Sequence, residues 1–135
     1  MIIGGIEMSR ADVERRVGNL SQLGSLRRYR LEEGSSRGVA AVDFANCSGF
    51  DFTILPDRAL DISRASYKGA SLVYHTISGE AHPSYYDPAG SEWLRNFFGG
   101  LLTTCGLTYF GHPGRDGDEE LGLHGRVSNI PARRV

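Results

Sequence analysis

The chain has 135 residues and a hydrophobic fraction of 40%, which suits one domain or part of one, and no stretch is long and apolar enough to span a membrane. Its formal net charge of −1 attracts no phosphate backbone, so we exclude nucleic acid as a partner. Cys47 and Cys105 provide no disulfide framework, and the chain begins without the basic region of a signal peptide, so a cytoplasmic location is the default expectation.

The first predicted element is a short helix. Ser9 and Asp12 fit a capping box, and Val13 begins a set of apolar residues at helical spacing. The pattern predicts an amphipathic helix over about residues 10–17. It belongs to an N-terminal helical segment, residues 1–24, which we expect to cover a sheet edge or an open end of the core.

Strand patterns dominate from residue 25 onwards. Several segments alternate apolar and polar residues with the period of two that a half-buried strand shows, and 18 glycines favour the many turns of a β-rich chain. The predicted strands are 25–31, 39–44, 50–54, 60–63, 72–75 and 101–105, with a hairpin turn at 67–70. Strands spaced this closely favour an antiparallel sheet, and we place a partial β-sandwich domain at residues 25–135.

A second helical segment is predicted late in the chain. Asp87 can act as an N-cap with Pro88 at the first helical position. Trp93 and neighbouring apolar residues would then share one face of a short helix near residues 91–98. The glycines at 99–100 would end that helix.

The first candidate site is the sequence Gly122-Leu123-His124-Gly125-Arg126. Glycines let a backbone approach a ligand closely, histidine can serve as a general acid, and arginine offers a planar fork of donors. The alternative, which composition alone favours, is a turn histidine beside a surface arginine.

A second candidate is Arg58, which lies between two predicted strands. Its side chain can point into a pocket or form an ion pair with Asp57 or Asp61, and without other information the ion pair is favoured. Trp93 can stack on a sugar face or belong to the core.

No metal site is predicted. The histidines at 75, 82, 112 and 124 match no recognised ligand spacing, and the acidic residues at 116–120 lack the spacing that calcium needs. Cys105 lies in an apolar segment, so we expect it to pack as a small hydrophobe instead of acting as a nucleophile.

Three segments carry a family resemblance. They are LPDRALDI at 55–62, GGLLTTCGL at 99–107 and LGLHGRVSNIPA at 121–132. In these segments and their order, the chain resembles the aldose 1-epimerase-like proteins of the galactose-mutarotase-like superfamily. The resemblance implies a large antiparallel β-sandwich, no cofactor, and a monosaccharide or sugar derivative bound in an open groove.

The resemblance also implies a chemistry. In mutarotation a general acid protonates the ring oxygen of an aldose while a general base removes the anomeric proton, and the opened ring recloses as the other anomer. By this resemblance His124 is the catalytic histidine. The implied or predicted substrate contacts are Arg58, Arg126, Asn129, Trp93 and His82.

The chain departs from that family in length. Family members are much longer, and their carboxylate base lies in the later half of the fold, where no glutamate here matches it. We therefore expect the N-terminal portion of such a protein, whose open strand edges would pair with another copy. Two alternatives stay open: a non-catalytic carbohydrate-binding or assembly module, and a structural β-domain in which His124 is only a turn residue.

Overall fold

The structure is a computed structural model that describes residues 1–103 and 105–135. Short strands and turns make up most of it, with one short α-helix, α1 (Arg10–Glu14), in the described part. The strands are β1 (Ile2–Ile3), β2 (Ile6–Glu7), β3 (Gly24–Arg30), β4 (Ala40–Asn46), β5 (Phe50–Leu55), β6 (Asp61–Tyr67), β7 (Ala70–Ser71), β8 (Tyr74–His75), β9 (Gly99–Gly100), β10 (Gly114–Asp116) and β11 (Glu119–Leu121).

The centre of the fold is a five-stranded sheet in the order β3-β4-β5-β6-β7. Strands that follow one another in the chain are neighbours in this sheet, and all of its pairs are antiparallel. The other pairs, β1-β2, β8-β9 and β10-β11, are antiparallel as well. The predicted mainly β, antiparallel class is therefore confirmed.

The predicted hairpin turn at residues 67–70 is also confirmed. Tyr67 pairs with Ala70, and the turn between them is made by Lys68 and Gly69, whose φ angles are 49° and 83°. Two successive left-handed residues produce the twist that a two-residue hairpin needs. The local sequence therefore determines the connection between β6 and β7.

The two predicted helices differ from the structure in different ways. Ser9 is the N-cap of α1 and accepts a hydrogen bond from the backbone N–H of Asp12, as predicted, but the helix ends at Glu14 and not near residue 17. The second segment is a 3₁₀ helix, Glu92–Asn96, that starts after Ser91. Asp87 instead accepts from the N–H of Ala89 in a local turn.

One strand prediction was confirmed only in part, and another was wrong. The predicted strand at 72–75 is split because the Ser71 hydroxyl bonds to both the N–H and the carbonyl of Val73, and the chain then leaves the sheet as β8. The glycines at 99–100 do not end a helix but form β9, which pairs with β8. The predicted strand at 101–105 begins with a bend, and its residue 104 lies outside the described residues.

The central sheet has two chemically different faces. Leu26, Phe44 and Phe52 occupy successive positions of one cross-strand row, and the two phenyl rings stack with centroids 4.7 Å apart. The adjacent row of the opposite face contains Asp43 and Thr53. Because cross-strand partners point to the same side, the middle of the sheet has apolar rings on one face and polar side chains on the other.

The buried apolar core lies at one end of this sheet. It contains Val39, Ala41, Leu55 and Phe98, with Leu31 packed against it. Phe98 comes from the segment that follows β8, so the core joins the sheet to the later part of the chain. The described residues contain no helix with the length and apolarity that crossing a bilayer requires.

Candidate functional site

Arg58 is the centre of a buried polar network. It lies on the 3₁₀ turn Pro56–Arg58 between β5 and β6, and it is only 2% exposed. Its Nε donates to the carbonyl of Ser128, one terminal nitrogen to that of Ala81 and the other to that of Asn96, each at 2.7 Å. One planar side chain thus joins three segments that are distant in sequence.

The charge of Arg58 is retained inside the protein. Its guanidinium carbon lies 4.9 Å from the centroid of the Phe98 ring, a distance at which a cation is attracted to the ring face. Burial lowers the pKa of Arg58 to about 10, while Asp61 and Glu80 act to raise it, so the side chain is charged at pH 7. Asp57, the other suggested ion-pair partner, instead accepts from the N–H of Ala40 at 2.7 Å.

Further buried side chains extend this network. Trp93 donates from Nε1 to the hydroxyl of Ser128 at 3.0 Å, and the side-chain amides of Asn96 and Asn129 approach within 3.2 Å. We call Arg58, Trp93, Asn96, Ser128 and Asn129 the buried brace; each is between 2% and 8% exposed. Since unpaired buried polar groups are costly, these mutual bonds specify one arrangement of the loops.

His124 lies on a loop whose backbone is also bonded. Its N–H donates to the carbonyl of Gly111, and its own carbonyl accepts from Gly106, both at 3.0 Å. The imidazole Nδ1 accepts from the N–H of Gly111 at 3.3 Å. Because a backbone N–H can only donate, the neutral ring carries its proton on Nε2, which makes Nε2 a proton donor.

Two aromatic rings enclose the imidazole. Trp93 meets it edge-on and Phe110 stacks on it, both with centroids 4.9 Å apart. Phe110 is 69% exposed whereas Trp93 is buried, so His124 lies between the brace and solvent. Trp93 contacts both His124 and Ser128, and it therefore connects the histidine loop to the buried brace.

The glycines around His124 serve the packing of the chain. A Cβ added at Gly122 would lie 2.0 Å from the carbonyl oxygen of Pro88, so no other residue fits there without a shift of backbone. Gly125 follows the left-handed His124 (φ 56°) with φ 68°, and its carbonyl accepts from the Tyr86 hydroxyl at 3.3 Å. At Gly122 the close approach that we expected from a ligand is thus made by another segment of the chain.

The remaining predicted contacts occupy different surroundings. Arg126 is exposed at the start of the 3₁₀ turn Val127–Asn129. Burial raises the pKa of Tyr86, while the nearby Arg126 opposes that change. His82 accepts from the Ser84 N–H at 3.2 Å and so caps another turn, away from the rings that enclose His124. The structure therefore brings His124, Trp93 and Asn129 into one connected network and places His82 and Arg126 outside it.

Asn96, Ser128 and Phe110 were missed by sequence reasoning. Asn96 acts through its side-chain amide and its backbone carbonyl, and Ser128 acts through its hydroxyl and its backbone carbonyl. Every residue has a backbone carbonyl, so no sequence pattern marks the carbonyls that bind Arg58. Phe110 carried a weak signal as an aromatic residue between two glycine-rich segments. Across the described residues, no group of three or more His, Cys, Asp or Glu side chains could hold a metal ion.

Comparisons with known proteins agree with this fold. A family model described as "Domain of unknown function (DUF4432)" matches residues 36–135, and the chain belongs to this family. Its fold matches the crystal structure of a "putative aldose 1-epimerase" from Klebsiella pneumoniae subsp. pneumoniae MGH 78578, with a TM-score of 0.71 and 22% sequence identity. The match covers 80% of this chain and 29% of that chain, so this chain spans less than a third of the neighbour's length. Curated proteins gave no match.

Proposed function

We propose that this chain supplies part of the sugar site of an aldose 1-epimerase-like isomerase, with His124 as the general acid, which donates a hydrogen bond from Nε2 to the ring oxygen. The single observation that carries the proposal is the Gly111 N–H bond to Nδ1, which leaves the proton on Nε2. A neutral imidazole stabilises the ring oxygen by a hydrogen bond from Nε2 as the C–O bond breaks, and the proton that this oxygen finally takes up comes from solvent; a donor held by backbone bonds and two aromatic rings forms that bond without reorganising.

The surroundings of His124 suit a sugar. Phe110, which is 69% exposed, presents apolar ring surface beside a polar nitrogen, and a sugar ring combines C–H faces with hydroxyl edges. The exposed Arg126 can reach hydroxyl or carboxylate oxygens from outside the brace. Direct sugar contacts from Arg58, Asn129, Trp93 and His82, and a cytoplasmic location, stay predictions.

A second function, sugar binding without isomerisation, is favoured by the positions of the carboxylates. Two glutamates that could otherwise act as a base have arginine partners: Glu80 lies 3.6 Å from Arg64, and Glu92 lies 2.7 Å from Arg95. The described contacts of His124 are aromatic rings and backbone groups. A base supplied from outside this chain would restore the isomerase, and its absence would leave a binding module.

The test is anomer exchange measured by saturation-transfer NMR on the protein expressed from its full reading frame. We expect His124→Ala to reduce exchange by about 100-fold or more, the usual size of a general-acid contribution. His124→Asn should give a similar loss; asparagine tolerates a left-handed backbone, so this variant separates chemistry from folding.

His112→Ala is the matched control because His112 is an exposed histidine on the same loop region. It should leave exchange unchanged. An active protein in which both His124 variants exchange anomers at the wild-type rate would refute the assignment of the acid. Sugar binding without exchange in the full-length protein would instead establish the binding module.

A further inference from the structure

The polar face of the central sheet forms a second concave surface, of about 660 Å³. This polar cleft crosses all five strands of the sheet and is lined along two cross-strand rows, Asp43-Thr53-Arg64 and Asp51-Ser66-Ser71. His75, on β8, also lines it. The volume lies within the range of small-molecule sites.

Two acceptors in the cleft are held in fixed orientations. Asp43 receives hydrogen bonds on Oδ1 from the Tyr29 hydroxyl at 2.9 Å and from the Thr53 hydroxyl at 2.7 Å. Both bonds go to one oxygen, which orients the carboxylate and leaves Oδ2 without a hydrogen bond from any described residue. His75 bonds through Nε2 to the carbonyl of Ser63. A carbonyl only accepts, so Nε2 carries the proton and Nδ1 is an acceptor in the neutral ring.

Donors stand beside these acceptors. Arg64 is 69% exposed in its side chain and forms an ion pair with Glu80, but the 3.6 Å between its Nε and that carboxylate is too long for a hydrogen bond, so its guanidinium N–H groups can still donate to a ligand. Ser71, on the neighbouring strand, donates its hydroxyl proton to the carbonyl of Val73, so the available donors of the cleft come from Arg64. Acceptors and donors therefore alternate across the cleft, and a hydroxyl group, which donates and accepts at once, satisfies both.

The charge of the lining restricts the ligand further. The cleft is lined by two carboxylates, Asp43 and Asp51, and one guanidinium, Arg64. Desolvating a further anion beside two carboxylates is unfavourable, so an acidic ligand is disfavoured. We propose that the polar cleft binds a neutral, hydroxyl-rich molecule, a polyol or a sugar, independently of the His124 site, with which its lining shares no residue.

The experiment is a ¹H–¹⁵N NMR titration of the purified chain with glucose, with myo-inositol and with glucuronate. We expect the amides of Thr53, Arg64 and Ser71 to shift with millimolar affinity for the neutral ligands, and much less with glucuronate. A response to both neutral ligands identifies a polyol site and a response to glucose alone identifies a sugar site; either result supports the cleft.

Two variants test the assignment. Arg64→Met should weaken binding by about 2- to 12-fold, the effect of losing one hydrogen bond, and Asp43→Asn should also weaken it. The matched control is Arg28→Met, because Arg28 is an exposed arginine on β3 whose row runs along the opposite face of the sheet. His124→Asn should leave the shifts of the cleft unchanged.

Three results would overturn the proposal. The first is that the cleft amides show no chemical-shift change when the ligand concentration is 100 times a millimolar dissociation constant. The second is glucuronate binding in the cleft as tightly as glucose. The third is binding that Arg64→Met and Arg28→Met affect equally.

Discussion

Replacing Arg58 with methionine tests whether the buried brace holds the structure together. Methionine keeps much of the length and apolar stem of the side chain but has no donors. The substitution leaves the carbonyls of Ala81, Asn96 and Ser128 buried without the partner that each has at 2.7 Å. The three segments that these residues belong to would lose their common attachment.

The expected loss of stability is large. An unsatisfied buried acceptor costs about 1–3 kcal/mol, so three of them cost about 3–9 kcal/mol. Removing the guanidinium also removes the cost of burying its charge, which offsets part of this sum. We expect a net decrease of about 3–5 kcal/mol in the free energy of unfolding, as when one partner of a buried charged network is removed. The free energy of unfolding of a whole domain is only about 5–15 kcal/mol.

The assay is urea unfolding followed by the fluorescence of Trp93, the single tryptophan of the chain, which is bonded to Ser128 within the brace. Arg58→Lys should fall between wild type and Arg58→Met, because an ammonium retains the charge but cannot form the planar fork. Arg28→Met, at an exposed position, should change stability by less than about 0.5 kcal/mol. If the free energy of unfolding of Arg58→Met lies within about 1 kcal/mol of the wild-type value, the buried brace does not have the stabilising role that we assign to it.

Two further predictions concern packing. Gly122→Ala should destabilise the protein by about 1–3 kcal/mol in the same urea assay, because its Cβ would overlap the Pro88 carbonyl. The control is Gly18→Ala, which should not destabilise the protein because a Cβ there meets nothing within 4 Å. Equal effects of the two substitutions would contradict the prediction. The purified chain should dimerise with rising concentration in light scattering, because the apolar face of the sheet leaves Leu26 56% exposed. Leu26→Glu should shift that equilibrium towards the monomer, and a monomeric wild type at all concentrations would contradict the prediction.

Local signals in the sequence determined the elements whose causes are local. The period of two in residues 50–54 depends only on which side chains alternate, and it predicts β5. The Ser9 cap and the hairpin turn at Lys68 and Gly69 likewise depend on a few neighbouring residues. The segment around His124 was chosen as a candidate site from the sequence alone, because glycine, histidine and arginine together are chemically conspicuous, and its role stays a prediction.

Tertiary structure alone decided what Arg58 contacts. From sequence, the arginine between two strands was compatible with an ion pair or a pocket, and the structure shows it bonded to three backbone carbonyls. The close approach at Gly122 was equally invisible, since it depends on where Pro88 lies. The polar cleft also needs register, because Asp43, Thr53 and Arg64 become neighbours only when three strands align. Carbonyl partners and cross-strand neighbours are set by the path of the whole chain, and a carbonyl has the same chemistry in every residue.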